Sequence, residues 1–364
     1  MKILVALSGG IDSSVAAHLL KEQGHDLVGV RFILWHDPLA PALAEVLPEK
    51  CCNAQTAARA AKVAKDLSIP LHIIDLSEDF KREVVDPFLA GYSRARTPNP
   101  CIGCNRAIKF GRLLALMQEL GCDRLATGHY ARTAVEKLSD GSNRTLLLEA
   151  ADGMKDQSYY LSGLSQEQLS RVLFPLGSLR KSEVMALAKH FNIPFDEHYR
   201  ESQDLCFFPE KTPHKFLERY LKELLRPGPV IRRDGKIIGT HKGLALYTIG
   251  QRRGLGIGGQ RLPLEVVSKD AKRNALVVAT KGSEKIDSVS VSGLHWISWS
   301  PTEDAAVYLE ARTRSLSPKL RGTLLYRGDT GTFRFQSVLG PQAPGQVLAL
   351  YKGEEVIGSG VIEG

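Results

Sequence analysis

The sequence predicts an α/β fold for residues 1-209, a doubly wound parallel sheet, followed by a small basic mostly-β module over 210-280 and a C-terminal β-barrel over 281-364. Three observations predict it. Apolar runs alternate with helical periodicities as far as about residue 205, the pattern of parallel strands joined by crossover helices. The glycine-rich run Ser8-Gly9-Gly10-Ile11-Asp12-Ser13-Ser14 lies between the first strand and the first helix. After Phe208 the segments shorten, fill with Val, Ile, Tyr and Thr, and are punctuated by turns such as Asp234-Gly235, Arg327-Gly328-Asp329 and Lys352-Gly353.

Taken in order, residues 2–7 read as the first strand and 13–23 as its helix, with Val15, Ala16, Leu19 and Leu20 on the apolar side. Residues 27–33 are a second strand, 53–67 an alanine-rich helix and 71–75 a third strand. A helix over 106–119 carries Ile108, Leu113, Leu116 and Met117, and residues 124–127 form the next strand. Residues 182–191 are a helix opened by Ser178 or Ser182 as its cap. One more helix spans 212–225, after which Pro227-Gly228-Pro229 breaks the chain. In such a sheet, ligands sit at the carboxyl ends of the strands.

At 364 residues the chain has room for two or three cores. No apolar run approaches the ~18 residues of a membrane helix. The apolar stretch after Lys2 gives way to the glycine-rich run too soon for a signal peptide. A cytoplasmic protein is expected, its six cysteines reduced, reactive or metal-binding. Between Arg226 and Arg273 stand eleven Lys or Arg against three acids, which accounts for the whole formal charge of +8. A concentrated basic region interleaved with glycine suits a polyanion, and a solvated basic face without a partner is the bland alternative.

The glycine-rich run has the chemistry of an anion cradle. Glycines let the backbone turn tightly and approach a ligand, and the N–H groups opening the helix carry partial positive charge. The Gly-Lys-Ser/Thr ending of a Walker A loop is missing. Asp12 stands there instead, and a carboxylate beside phosphates is repulsive unless a divalent cation lies between them, so Mg²⁺ is expected with the nucleotide.

Cys101-Ile102-Gly103-Cys104 follows Pro98-Asn99-Pro100, and the prolines predict a stiff exposed loop before a helix, with its thiol pKa values lowered by the helix N-terminus. Cys206 is a third candidate thiol. A CxxC alone is shared by zinc sites, redox pairs and iron–sulfur ligands, and zinc would need a fourth ligand such as Cys51, Cys52 or a histidine. Cys51, Cys52 and Cys122 read as ordinary small apolar residues, and the insertion over 38–50 has no legible role. His129 follows a strand end and is either a polar contact or a satisfied strand-end histidine. The run Lys155-Asp156-Gln157-Ser158 packs charge ahead of an apolar stretch, or simply opens a helix with Asp156 as cap.

The SGGIDSS loop resembles that of the N-type ATP pyrophosphatases. Together with TPNPCIGCN followed by IKF, TGHYAR, KDQSYYL, the cysteine in DLCFF and TIGQRRGLGIGG, it closely resembles the tRNA-specific 2-thiouridylases, over residues 1 to about 260 and more loosely in the barrel. The resemblance implies ATP-dependent adenylation at C2 of the wobble uridine of tRNA and sulfur transfer giving 2-thiouridine, with AMP and pyrophosphate released. It implies an ATP site at Ala6, Leu7, Ser8, Gly9, Gly10, Ile11, Asp12, Ser13, Phe32 and Gly128. Asn99, Pro100 and Cys101 face the target base. His129, Lys155, Asp156, Gln157, Arg314, Ser315 and Gln346 touch tRNA. The catalytic thiols are Cys206, carrying the terminal sulfur, and Cys104, its partner. A protein sulfur donor or sulfide source is implied, and neither DNA nor a membrane. Many family members carry an aspartate at the position of Cys101. A thiol there leaves two schemes open: a persulfide pair, or a 4Fe-4S cluster held by Cys101, Cys104 and Cys206. Ser315 replaces a frequent aromatic and so removes a stacking contact. A small-molecule ligase and a non-catalytic RNA-binding protein are the competing readings.

Overall fold

The computed structural model describes residues 1–41, 54–195, 205–259 and 261–363. The first sheet comprises β1 (Lys2–Ala6), β2 (Asp26–Ile33), β3 (Leu71–Asp75), β4 (Arg124–Ala126) and, after the hairpin β5 (Arg132–Lys137) and β6 (Asn143–Leu148), β7 (Val172–Leu173). Its order is β3-β2-β1-β4-β7, parallel throughout. The strand order reverses between β1 and β4, and that switch point is where such sheets open a crevice.

Ile3, Leu4 and Val5 are fully buried because helices cover both faces of β1. On one side Ala17 and Leu20 of the helix Ile11–Glu22 pack with Ala60, Val63 and Ala64 of the helix Ala54–Asp66. On the other face Leu4 packs with Leu113, Leu114 and Met117 of the helix Leu113–Glu119, while Ile11, Val15 and Ala16 of the first helix meet Val184 and Ala188 of the helix Lys181–His190. Neither Ser178 nor Ser182 caps that last helix; Arg180 occupies the cap, its N–H donating to the Glu183 carboxylate at 2.7 Å. The expected helix over 212–225 shrinks to His214–Tyr220 with a 3₁₀ turn at Lys222–Leu224.

The basic module is a four-stranded sheet of β8 (Gly228–Arg232), β9 (Ile237–His241), β10 (Leu264–Asp270) and β11 (Ala275–Thr280), in the order β10-β11-β8-β9. Pro229 does not stop β8. It pairs with Thr240 of β9, while pairing with β11 begins only at Val230, so its missing N–H breaks no ladder on that side.

Six antiparallel strands close the barrel: β12 (Ile286–Trp296), β13 (Val307–Arg312), β14 (Leu320–Arg327), β15 (Thr330–Leu339), β16 (Val347–Lys352) and β17 (Glu355–Ile362). They run in the order β12-β15-β14-β13-β16-β17, and pairing of β12 with β17 completes the ring around Leu324, Phe333, Leu348 and Leu350. The hairpin β5–β6, emitted by the first part of the chain, joins the barrel sheet through β6 and β17. Among the described residues no helix is long and apolar enough to cross a membrane.

Candidate functional site

The switch point holds the anion cradle. Leu7 donates its N–H to Val30 at 2.8 Å, fixing the exit from β1. Gly9 then adopts φ +80°, and a Cβ there would lie 2.0 Å from the Thr56 carbonyl oxygen, so no side chain fits. Arg31 donates to the Ser8 carbonyl at 2.6 Å and to Thr56 Oγ1 at 3.0 Å, and Arg59 donates to the Gly9 carbonyl at 2.8 Å. Gly10 precedes the helix Ile11–Glu22, whose first N–H groups lack intrahelical partners. The Ile11 side chain is fully buried, so its contribution to the cradle is backbone alone. Ser8 and Ser13 share a hydroxyl contact at 3.1 Å, and Ser13 also donates to the Gly10 carbonyl.

The loop after β4 closes the crevice from the other side. A Cβ on Gly128 would sit 2.7 Å from the Ser13 nitrogen, so only glycine lets these two loops touch. Tyr130, from the same loop, donates its hydroxyl to Asp12 Oδ1 at 2.8 Å, and Lys181 donates to that oxygen at 2.6 Å. Sequence reasoning gave Asp12 a divalent cation and missed Lys181. One carboxylate with neighbouring hydroxyls still suits Mg²⁺ held chiefly by substrate phosphates. Ala6 and Phe32 lie half-buried at the carboxyl ends of β1 and β2, within reach of the same crevice rim.

The thiols are arranged differently from expectation. Cys101 and Cys104 do not lie in an exposed loop but in the first turn of a helix, Pro100–Cys104, which continues as a π-helical stretch, Asn105–Arg112, and as Leu113–Glu119. Pro100 at the first helical position costs no hydrogen bond, and the Asn99 side chain caps the helix by accepting from the Cys101 N–H at 3.2 Å. The lowered thiol pKa fails for Cys101. Burial pushes its thiol up to about 11, with the Lys109 cation opposing and Cys104 adding. Cys104 is buried in an apolar cluster with Ile108, Phe207 and Phe208, and Cys206 packs half-buried against that same cluster. Phe207 and Phe208 anchor the Cys206 segment among Phe88 and Phe216. Two thiols about a hundred residues apart in sequence thus share one core.

A cluster site is not assembled. Among the described residues no three His, Cys, Asp or Glu side chains stand together to hold a metal ion, so Cys101, Cys104 and Cys206 do not form the ligand set of a 4Fe-4S cluster. Among the described residues these thiols form no zinc set with a histidine either. Cys51 and Cys52 lie outside the described residues; Cys122 is buried, as expected of a small core residue.

Residues 97–101 form a three-way junction. Gln346 of the barrel donates to the Thr97 carbonyl at 2.7 Å, and the Thr97 N–H donates to Pro344 at 2.8 Å. Thr248 of the basic module meets Thr97 Oγ1 at 3.3 Å. A Cβ on Gly250, two residues on, would lie 3.7 Å from the Arg314 guanidinium. Arg314 is exposed, and burial raises the pKa of the Tyr160 hydroxyl, with Ser315 opposing and the Cys101 thiol adding. His129 lies tilted against Phe110, ring centroids 5.6 Å apart, with Nδ1 2.9 Å from Thr127 Oγ1, and burial lowers its pKa to about 3, so it stays neutral. Lys155 is half-buried, and Gln157 accepts from the Tyr130 N–H at 2.9 Å.

Asp156 does not fit an RNA-contacting role. It is 3 % exposed and accepts from the Ala150 and Ser158 N–H groups, the Ser158 hydroxyl and Arg312 Nη1. It is a scaffold residue tying the first part of the chain to the barrel.

An anion cradle at a topological switch point, a buried and a half-buried thiol in one shared core and two β modules meeting just ahead of the thiol helix define a nucleotide-using α/β enzyme of the thiol-bearing kind. Family models match its three parts: the tRNA methyl transferase HUP domain over residues 1–210, the tRNA methyl transferase PRC-barrel domain over 214–280 and the aminomethyltransferase beta-barrel domain over 286–362. The chain is 39% identical over 363 residues to the tRNA-specific 2-thiouridylase MnmA of Symbiobacterium thermophilum, covering 100% of this chain and 92% of the relative. It is 40% identical to that of Geobacter metallireducens, covering 100% and 96%. The chain belongs to the tRNA-specific 2-thiouridylase family. The model descriptions speak of methyl transfer, but the full-length relatives are named as thiouridylases, and the paired thiols accord with sulfur chemistry. Among solved structures, an NMN synthetase from Francisella tularensis aligns at 18% identity and a TM-score of 0.34, over 61% of this chain and 76% of that one.

Proposed function

We propose that the chain is an ATP-dependent tRNA 2-thiouridylase that adenylates the C2 oxygen of the wobble uridine and replaces it with sulfur. The observation that carries this reading is the convergence at residues 97–101. Thr97, two residues ahead of the Asn99 cap of the thiol helix, is held by the barrel and touches the basic module, so the target base, the thiols and a basic surface for the anticodon stem-loop belong to one site. ATP occupies the cradle at Ser8–Ser13, with Phe32 and Gly128 at its edge. Mg²⁺ accompanying the nucleotide supplies charge screening between the phosphates and Asp12.

A uracil C2 carbonyl is a weak electrophile, and its oxygen a bad leaving group. Attack of that oxygen on the α-phosphorus breaks the α–β phosphoanhydride bond and expels pyrophosphate, and the helix N-terminus and loop N–H groups stabilise the charge that develops. Sulfur chemistry then falls to the two thiols of the shared cluster. A persulfide on Cys206 adds its terminal sulfur to C2, losing its proton, and AMP departs with the C2–O bond. The Cys104 thiolate attacks the Cys206 sulfur, breaks the S–S bond to the base and leaves C2=S with a Cys104–Cys206 disulfide. A dithiol reductant restores the pair, and a cytoplasmic protein donor reloads the persulfide. No step runs through a cluster.

The test is thiolation of an anticodon stem-loop in vitro with ATP and a persulfide donor. Cys104→Ser and Cys206→Ser each abolish 2-thiouridine formation while pyrophosphate release persists. Full turnover in both variants would sink the sulfur assignment, and ATP consumption indifferent to tRNA would favour a small-molecule ligase.

A further inference from the structure

We infer that Lys181 is a phosphate ligand of the nucleotide cradle, parked on Asp12 until the triphosphate arrives. The inference rests on the ATP reading above and adds to it a residue that sits 169 positions away from the loop in sequence.

Asp12 is the second residue of the helix whose N-terminus forms the cradle, so any anion bound by that N-terminus lies close to its carboxylate. Two donors converge on Oδ1: the Tyr130 hydroxyl at 2.8 Å and the Lys181 ammonium at 2.6 Å. Tyr130 is buried and its ring centroid lies 5.7 Å from the Lys181 nitrogen, so the ammonium is held between a carboxylate and an aromatic face. The pair is partly buried, at 16% and 29% side-chain exposure.

A pair that only pinned two helices together would be redundant. Ile11, Val15 and Ala16 already pack against Val184 and Ala188, and a partly buried ion pair gains little once both groups are desolvated. The position of the pair carries more information than its energy. A compact charge on a flexible four-carbon stem, one hydrogen bond from the edge of an anion cradle, is shared between whichever anions are present. Without nucleotide the only carboxylate of the loop takes it. A triphosphate brings several anionic oxygens to the same mouth, and its accompanying divalent cation competes for Asp12, so the ammonium transfers to phosphate. No backbone movement is needed, because Lys181 is the first residue of its helix and its N–H remains on Asp152 Oδ2 at 2.9 Å. The cradle then has the terminal cation that its sequence lacks, delivered from a distant helix rather than from the loop.

The experiment measures ATP binding with Mg²⁺ by titration calorimetry on the full chain for wild type, Lys181→Met, Lys181→Arg, Asp12→Asn and the Asp12→Asn/Lys181→Met double variant, with a melting temperature for each. Lys181→Met is expected to weaken ATP by roughly 10- to 100-fold, the range for one hydrogen bond to a charged group. Lys181→Arg recovers most of that loss, and Lys181→Met still weakens ATP in the Asp12→Asn background. If the loss vanishes in that background, Lys181 acts on Asp12 alone and the proposal is overturned. Equal ATP affinity in wild type and Lys181→Met overturns it while leaving the ATP reading intact, and a wild-type chain that binds no ATP overturns both.

Discussion

Gly128→Ala tests whether the contact between the β4 loop and the nucleotide loop is as close as the cradle requires. The added Cβ would lie 2.7 Å from the Ser13 nitrogen and 2.8 Å from the Asp12 carbonyl carbon, whereas ordinary contact begins at 3.4 Å. Both obstacles are backbone, so neither can swing aside. Relief requires the two loops to part by about 0.7 Å, the difference between those distances. Overpacking of this kind costs about 1–3 kcal/mol. A misplacement approaching 1 Å in a site that works by positioning lowers the rate by as much as about 100-fold. The expected result is a fall of about 10- to 100-fold in kcat/KM for tRNA-dependent pyrophosphate release, with a modest drop in melting temperature. Gly340→Ala is the control, since its Cβ would meet nothing within 4 Å, and it should change neither reading. Wild-type turnover in Gly128→Ala with an unchanged melting temperature would refute the steric reasoning.

Three further outcomes are expected. Arg312→Met strands the buried Asp156 carboxylate, whereas Glu149 keeps Lys319 at 2.6 Å, so a loss of about 3–5 kcal/mol is expected in urea unfolding; a loss below about 1 kcal/mol would show that Asp156 is satisfied by its N–H and hydroxyl donors alone. Cys101, with its thiol pushed from 9.0 to about 11, stays protonated near neutral pH, and its alkylation rate by iodoacetamide, followed by mass spectrometry, should climb through pH 9–10 rather than level off. The unfolded chain gives up that proton first, so between pH 9 and 11 it binds fewer protons than the folded chain and stability falls as pH rises; Cys101→Ala should flatten that decline, and an unaltered alkaline melting profile would count against the burial.

What the sequence disclosed is what local chemistry encodes. The strand, glycine turn and helix at the N-terminus are contiguous, and Gly9 announces a backbone requirement in its own residue type. The alternating pattern gave the parallel sheet because each βα unit is written in consecutive residues. Pro100 was misleading for a local reason: proline excludes itself from helix interiors but suits the first helical position, and the sequence does not say which of the two applies until Asn99 is seen to cap. Burial was less legible. The run over 101–104 looked like an exposed thiol loop because nothing nearby reveals that Phe207 and Phe208 will pack with Cys104. The buried pairing of Asp156 and the place of Lys181 at the cradle were illegible for the same reason, since their partners Arg312 and Asp12 lie 156 and 169 residues away.

The hairpin β5–β6 explains why the barrel belongs to the chemistry and not merely to the chain. It leaves the first part of the chain directly after the Gly128–Tyr130 loop and adds to the barrel through Glu355 opposite Leu148 and Val356 opposite Leu147. The same barrel returns through Val347, accepting from the buried Tyr159 hydroxyl at 2.9 Å, and through Gln346, which holds Thr97 ahead of the thiol helix. One rigid sheet therefore braces both sides of the crevice, the loop that touches the nucleotide cradle and the cap that aims the thiols. Nucleotide activation of the oxygen and sulfur delivery to the carbon must act on one carbonyl of one base, and a positional error between the two sides would lower every turnover. A closed barrel spanning them fixes that separation where flexible loops would not.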